Sequence, residues 1–493
     1  MNRLAAIALS IAVAIVASAH IGSPNVVFDG NAGVYPVRVI VRPPEVVPGL
    51  AEVVVRVDAG DAQRVLIRPV FWRTGVAGAP AGDVMRRVAG QDRVYAGQLW
   101  LMAYGSYSVY VTVSGVRGSG TAIVPVASFA TGRLPLSRSL SGILVVLGAL
   151  LVAGLLTIVR AAVGESLVPP GESFDSAKRR HANIVTAIAA PVLGLALFGG
   201  AKWWRTEDAG YRQRLYGSPA ADPTITVDAM HRTLRLVVHD TAAFHAIYAP
   251  VAPDHGKMMH LFLVRLPAMD AFAHLHPTES DSLVFTGEVP GLPAGRYRLF
   301  GDIALENGLS LSATNTLDLP AASGTVTPSD SDDAWTTTAS VPRLTEHSET
   351  PLGDGFTLAW SGGSPSPSAR QVTDLRFVVH DANGAVAPLQ PYLGMAAHAV
   401  VVRDDGSVFI HLHPMGTVAT VAQQVFAIRD RGDTTSRGRL RAGALATGQM
   451  PVMSMSGQLT FPYEFPKPGR YRVWVQVKPN TRVLTGTFDV DVR

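Results

Sequence analysis

The stretch 394–414, GMAAHAVVVRDDGSVFIHLHP, decides the fold. Two apolar, β-branched runs, Ala399 to Val402 and Val408 to Leu412, flank Asp404-Asp405-Gly406-Ser407. Asp-Gly suits a tight turn because glycine reaches positive φ without a Cβ clash, so the segment reads as an antiparallel hairpin. Centring the turn on Asp405-Gly406 pairs position 404 with 407 and hence His398 with His413. Strand side chains alternate, which puts His411 on the face of His413. Cross-strand neighbours lie ~5 Å apart at Cβ, so the three imidazoles should converge on one point, a geometry that suits a metal ion.

The same pattern occurs earlier. Gly256-Lys257-Met258-Met259-His260 precedes Phe272-Ala273-His274-Leu275-His276-Pro277, and a three-residue loop, Pro267-Ala268-Met269, pairs His260 with His276. The flanks repeat as well: Leu234 to Asp240 matches Leu375 to Asp381, and Pro293 to Arg298 matches Lys467 to Arg472. Two copies of one β-sandwich therefore span 221–320 and 341–493, joined by a Ser/Thr/Asp/Ala-rich linker at 321–340. The second copy is longer by an insertion, 418–457, whose Gly/Thr/Arg-rich centre at 430–441 reads as a mobile loop.

Composition narrows the chemistry. The 493 residues contain no cysteine, which excludes disulfides, iron–sulfur clusters, thiolate zinc sites and cysteine-ligated blue copper. Half of the 14 histidines fall in 231–276, and eight of the 12 methionines lie between 258 and 455. Imidazole suits Cu(II) and thioether suits Cu(I), so the expected ion is copper. The expected ligands are His260, His274, His276, His398, His411 and His413, with Met258, Met395, Met450, Met453 and Met455 as soft contacts. Each hairpin would form an independent site. No catalytic constellation stands out: Glu279 follows the first HxHP motif without a counterpart in the second, which argues against a cupin-type oxygenase or a zinc hydrolase. The chain is read as a non-enzyme.

Residues 1–19 read as a signal peptide, with Arg3, an apolar run and Ala17-Ser18-Ala19 at the cleavage site. His20 would then begin the mature chain and offer its amine and imidazole to a metal. Residues 140–159 and 184–201 are uncharged and long enough for the ~30 Å hydrocarbon core, which makes them two membrane spans. Arg160, Lys178, Arg179 and Arg180 hold the loop 160–182 in the cytoplasm by the positive-inside bias. The large β regions then lie outside a bacterial cytoplasmic membrane. Alternating stretches framed by Gly and Pro in 20–133 read as a further sandwich. The fold class is all-β: three immunoglobulin-like or cupredoxin-like sandwiches, two transmembrane helices and a signal peptide. With a net charge of +4 and no basic run interleaved with aromatics, nucleic acid is excluded as a partner.

The Gly/Pro-framed strands of 20–133, with Gly105-Ser106-Tyr107, resemble CopC-type and YtkA-like exported domains, which implies copper handling. Pro391 through His398 to Pro414, with Phe461 to Pro466 and Trp474 to Val477, resembles a recurrent module of uncharacterised bacterial secreted proteins, which implies an exported sandwich. Two function classes stay open: a membrane-anchored metal buffer or delivery protein with a protein donor or acceptor, and a structural or adhesion protein that binds a protein or glycan.

Overall fold

The computed structural model describes residues 25–58, 61–165, 168, 171, 175–213, 215–228, 231–239, 249–321, 330–432, 434, 440, 445 and 455–493. Residues 1–19, which the sequence reads as a signal peptide, His20, Met450, Met453 and most of 430–441 lie outside them. The chain divides into a helical unit, Gly132–Leu215, and a β-rich unit formed by the described residues up to Thr131 and from Tyr216 onward.

In the helical unit, Arg138–Glu165 and Ser176–Gln213 pack against each other and are long and apolar enough to cross a membrane. At ~1.5 Å per residue they reach about 42 and 57 Å, beyond the ~30 Å hydrocarbon core. Leu151, Ile158, Leu195 and Phe198 are exposed, as lipid-facing side chains would be. The expected loop 160–182 is mostly helix, and only 166–175 connects the two. Runs such as Arg160-Ala161-Ala162-Val163 and Ser176-Ala177-Lys178-Arg179-Arg180 favour helix and extend each helix past its apolar segment.

The β-rich unit is built from sheets that pair face to face. Near the N-terminus a five-stranded sheet, whose middle strands are Tyr35–Arg42 and Gly49–Val57, faces a four-stranded sheet centred on Ala62–Phe71 and Gly105–Gly115. Period-two burial of Val37, Val39 and Val41 against Val53, Val55 and Val57 supplies that core. In the first repeat, His231–Val238 and Val284–Glu288 face a sheet ordered Val251–Ala252, Gly295–Leu305, His260–Arg265, Ala271–Leu275, Ala334–Thr337. In the second repeat, Phe356–Gly362 and Val372–His380 face a sheet ordered Phe409–Leu412, Ala397–Arg403, Gly469–Val477, Leu484–Val492.

Strands His260–Arg265 and Ala397–Arg403 are buried on both faces. One face lines the repeat's own core, and the other packs against the opposite repeat through Phe262, Val264, Phe272 and Phe300 with Val400, Val402, Phe409 and Trp474. The stacking is reciprocal. Phe272 lies on Trp474 at 4.7 Å, and its counterpart Phe409 lies on Phe300, the counterpart of Trp474, at 4.1 Å. The two repeats thus meet about a pseudo-two-fold axis, each side chain contributing about 1.5–3 kcal/mol by burial.

One sequence expectation changes, and the insertion holds an element that its sequence reading left unassigned. The linker 321–340 is partly structural: Ala334–Thr337, with β-forming Trp335, Thr336 and Thr337, adds a strand to the open edge of Ala271–Leu275. Within 418–457, Thr420–Asp430 is a helix. Its apolar face, with Val421, Val425 and Phe426, is held by Trp72 and Tyr110 on one side and Ala252 and Ala304 on the other.

Candidate metal centre

The hairpin registers are those set by the turns. Leu261 pairs with Leu275 and Ala399 with Leu412, which carries His260 opposite His276 and His398 opposite His413. The faces that carry the histidines are the faces that meet at the interface, so the repeats contribute to one buried cluster in place of two separate sites. All six are buried, His274 and His398 completely.

A seventh histidine joins them. His255 sits at φ 51° in the turn Asp254-His255-Gly256-Lys257, where the second repeat has Leu393, also at φ 51°. The side-chain nitrogens of His255, His398 and His413 lie within 4.8 Å of one another, as do those of His260, His274 and His276. The first triad therefore combines both repeats. His411 lies between the triads, its ring 5.1 Å from His260, 5.5 Å from His274, 5.2 Å from His398 and 4.7 Å from His413.

Neighbouring acceptors fix where the ring protons sit. Asp333 Oδ1 accepts from His276 Nδ1 at 2.9 Å, Gln476 Oε1 from His274 Nδ1 at 2.7 Å, and the Val418 carbonyl from His413 Nδ1 at 3.1 Å. The Asp254 carbonyl accepts from His260 Nε2 at 3.3 Å. Tyr392, which donates to the Asp332 carbonyl at 3.2 Å, adds a second acceptor 3.0 Å from His274 Nδ1. Carbonyls and carboxylates only accept, so His260 Nδ1, His274 Nε2, His276 Nε2 and His413 Nε2 are left as bare lone pairs.

His260 Nδ1 and His274 Nε2 face each other at 3.0 Å, and with this proton placement no hydrogen lies between them. Two nitrogens bound to one ion at ~2.0–2.1 Å would stand ~2.9 Å apart at a right angle and ~3.4 Å apart in a tetrahedron, which brackets the spacing. The Nε2 atoms of His255, His276, His411 and His413 and both ring nitrogens of His398 are buried without a partner. Each such orphan costs about 1–3 kcal/mol, a cost that a coordinated ion removes.

Electrostatics keep six of the imidazoles neutral and able to ligate. Burial, reinforced by the neighbouring imidazoles, holds His260, His274, His398 and His411 well below the ordinary histidine range and pushes His255 and His413 down to about 4. Besides Asp333, two carboxylates border the cluster. Burial raises Asp302 to about 7, with Asp254 adding to the rise, and burial raises Asp254 as well. Asp302 Oδ2 lies 3.8 Å from His411 Nδ1. Asp254 Oδ1 accepts from the Val421 backbone N–H at 3.0 Å and so caps the helix Thr420–Asp430.

The methionines lie differently. Met258 packs at the edge of the first repeat's core, Met455 at the edge of the second's, and Met395 closes a turn with Tyr392. Met450 and Met453 are outside the described residues. Met258 also lines a cavity with His260 and His411, and among the described residues the imidazole groups close enough to share an ion are those of the two triads.

Sequence reasoning missed His255, Asp302, Asp333, Tyr392 and Gln476. Asp302 and Gln476 sit directly opposite His260 and His398 on the neighbouring strands, a signal that aligning the Gly-x-Tyr strands of the two repeats contains.

Comparison with known proteins adds little to this chemistry. Residues 349–493 match the family model of a domain of unknown function, DUF8832. A search of curated proteins found no match. Among solved structures, a tetra-tandem repeat from the extending region of a large adhesion protein is 10% identical, with 90% of this chain and 71% of that chain covered and a TM-score of 0.15. Alpha-2-macroglobulin of E. coli is 10% identical, with 94% and 23% covered and a TM-score of 0.20. Dimeric latent PorU of Porphyromonas gingivalis is 7% identical, with 90% and 32% covered and a TM-score of 0.14. The chain thus spans less than a third of the latter two, and such TM-scores carry no argument about its fold or function.

Proposed function

We propose that the chain is a membrane-anchored, extracytoplasmic metal-binding protein that buffers or delivers copper. On this reading its sheets form three immunoglobulin-like or cupredoxin-like sandwiches, the signal peptide exports them and the two helices hold them at the bacterial cytoplasmic membrane. The observation that carries it is the opposed pair of lone pairs, His260 Nδ1 and His274 Nε2, 3.0 Å apart between two buried, neutral imidazoles. Imidazole sites for first-row divalent ions favour Cu(II) over Zn(II) by the Irving–Williams order, and the absence of thiolate leaves that order undisturbed. The two triads take two ions.

Metal analysis and calorimetric titration of the full chain in detergent test this. Two Cu(II) per chain, held more tightly than Zn(II), is the expected result. No saturable uptake of either ion would discard the metal reading and leave the adhesion reading in its place.

A further inference from the structure

The two repeats are alike in fold and unlike at the two ends of the cluster. Gln476 and Asp302 hold equivalent positions, each opposite the first histidine of its own repeat, and each turns toward the HxHP motif of the other. Gln476 bonds His274 directly, and that end is closed. Asp333 holds His276, Lys478 and Lys257 hold Asp332 at 3.0 and 3.5 Å, and Lys257 also pairs with Asp330. The space beside His276 and Asp333 is about 10 Å³, at the lower limit for one water.

The other end is open. A cavity of about 560 Å³, where both repeats meet the N-terminal sheets, is lined by His260, His411, His413, Asp254 and Asp302, and by Lys257, whose charge Asp330 and Asp332 pair, whereas His274, His276 and His398 do not reach it. His411 belongs to neither triad, its buried Nε2 has no partner, and its Nδ1 stands 3.8 Å from Asp302.

We infer that Asp302 and His411 form an entry site for a divalent transition-metal cation, which passes from the cavity through this pair to the two triads. The inference rests on the metal reading above. A carboxylate attracts a hydrated cation and exchanges its water, and an imidazole adjoining both triads can hand the ion to either by ligand exchange, with no net change in charge or oxidation state. The closed end retains ions because its ligands are clasped.

Stopped-flow absorbance of the full chain in detergent, mixed with Cu(II) sulfate, measures loading directly, and equilibrium metal analysis measures capacity. Asp302→Asn should slow loading at least tenfold and still end at two ions. Ala419→Trp adds an indole to the cavity lining and replaces no ligand, so it should slow loading even where the Asn variant folds poorly. Wild-type rates in both variants would overturn the entry site. So would an Asp302→Asn capacity of one ion, which would make Asp302 a resident ligand. A wild type that takes up no metal would overturn the metal reading itself, and the entry site with it.

Discussion

Arg472 of the second repeat donates to the carbonyl oxygen of Met269, at the hairpin tip of the first, at 2.7 Å, and to that of Ala268 at 2.9 Å. Its counterpart Arg298 reaches the turn of the second hairpin, at Gly406 O, at 3.4 Å. Arg472 also pairs with Asp489, and both are buried. Asp489 keeps Arg470 when Arg472 is removed, so the loss is that of the buried donors to Asp489 and to the two carbonyls, and a buried polar group left unpaired costs about 1–3 kcal/mol. Arg472→Met should therefore lower unfolding stability by about that amount in denaturant titration, and far more than Arg376→Met, whose guanidinium is exposed beside Asp374.

His255 is the only member of its triad supplied by the first repeat. His255→Ala should reduce copper stoichiometry from two to one under conditions that saturate the wild type, because the remaining His398 and His413 make a two-ligand site. Metal analysis after gel filtration reads the result directly. An unchanged stoichiometry would show that His411 completes that site.

Asp333 holds the His276 proton on Nδ1 and its lone pair toward the cluster. Loss of such a support weakens metal affinity by roughly 10–100-fold. Asp333→Asn should show that drop in competition with a chelator of known affinity, with the circular dichroism of the wild type retained.

Acid should destabilise the metal-free protein. His255 and His413 titrate at about 4 when folded and at ~6.5 when unfolded, so between those values the unfolded state binds more protons and stability falls as pH falls. His260, His274, His398 and His411 shift the same way. Asp302, raised to about 7, and Asp254 act in the opposite sense, but six imidazoles outnumber two carboxylates. The melting temperature without metal should drop between pH 6.5 and 4.5. A flat profile over that range would contradict neutral burial of the cluster.

Much of the centre could be read from short-range rules. A turn dipeptide and period-two alternation are local, and they were enough to place His398 opposite His413 and His260 opposite His276. The partner of each histidine face was not local. Strand period says which residues share a face and is silent on what covers it, so the packing of Phe272 on Trp474 and the merging of two expected sites into one cluster were invisible. His255 was hidden by the repeat itself, because its aligned position holds Leu393 and because it lies in a turn. The sequence reading of the insertion 418–457 assigns a loop to 430–441 and no element to Thr420–Asp430, although Val421, Ala422, Val425, Phe426 and Ile428 follow helical spacing.

The pseudo-two-fold meeting of the repeats has a consequence for assembly. A triad drawn from both repeats would need two molecules to collide if each repeat were a separate chain, and dilution would take it apart. On one polypeptide the halves meet at an effective concentration in the millimolar range, set by the tether and indifferent to how much protein is present. The centre assembles as a first-order event, in a single copy per chain, at any expression level.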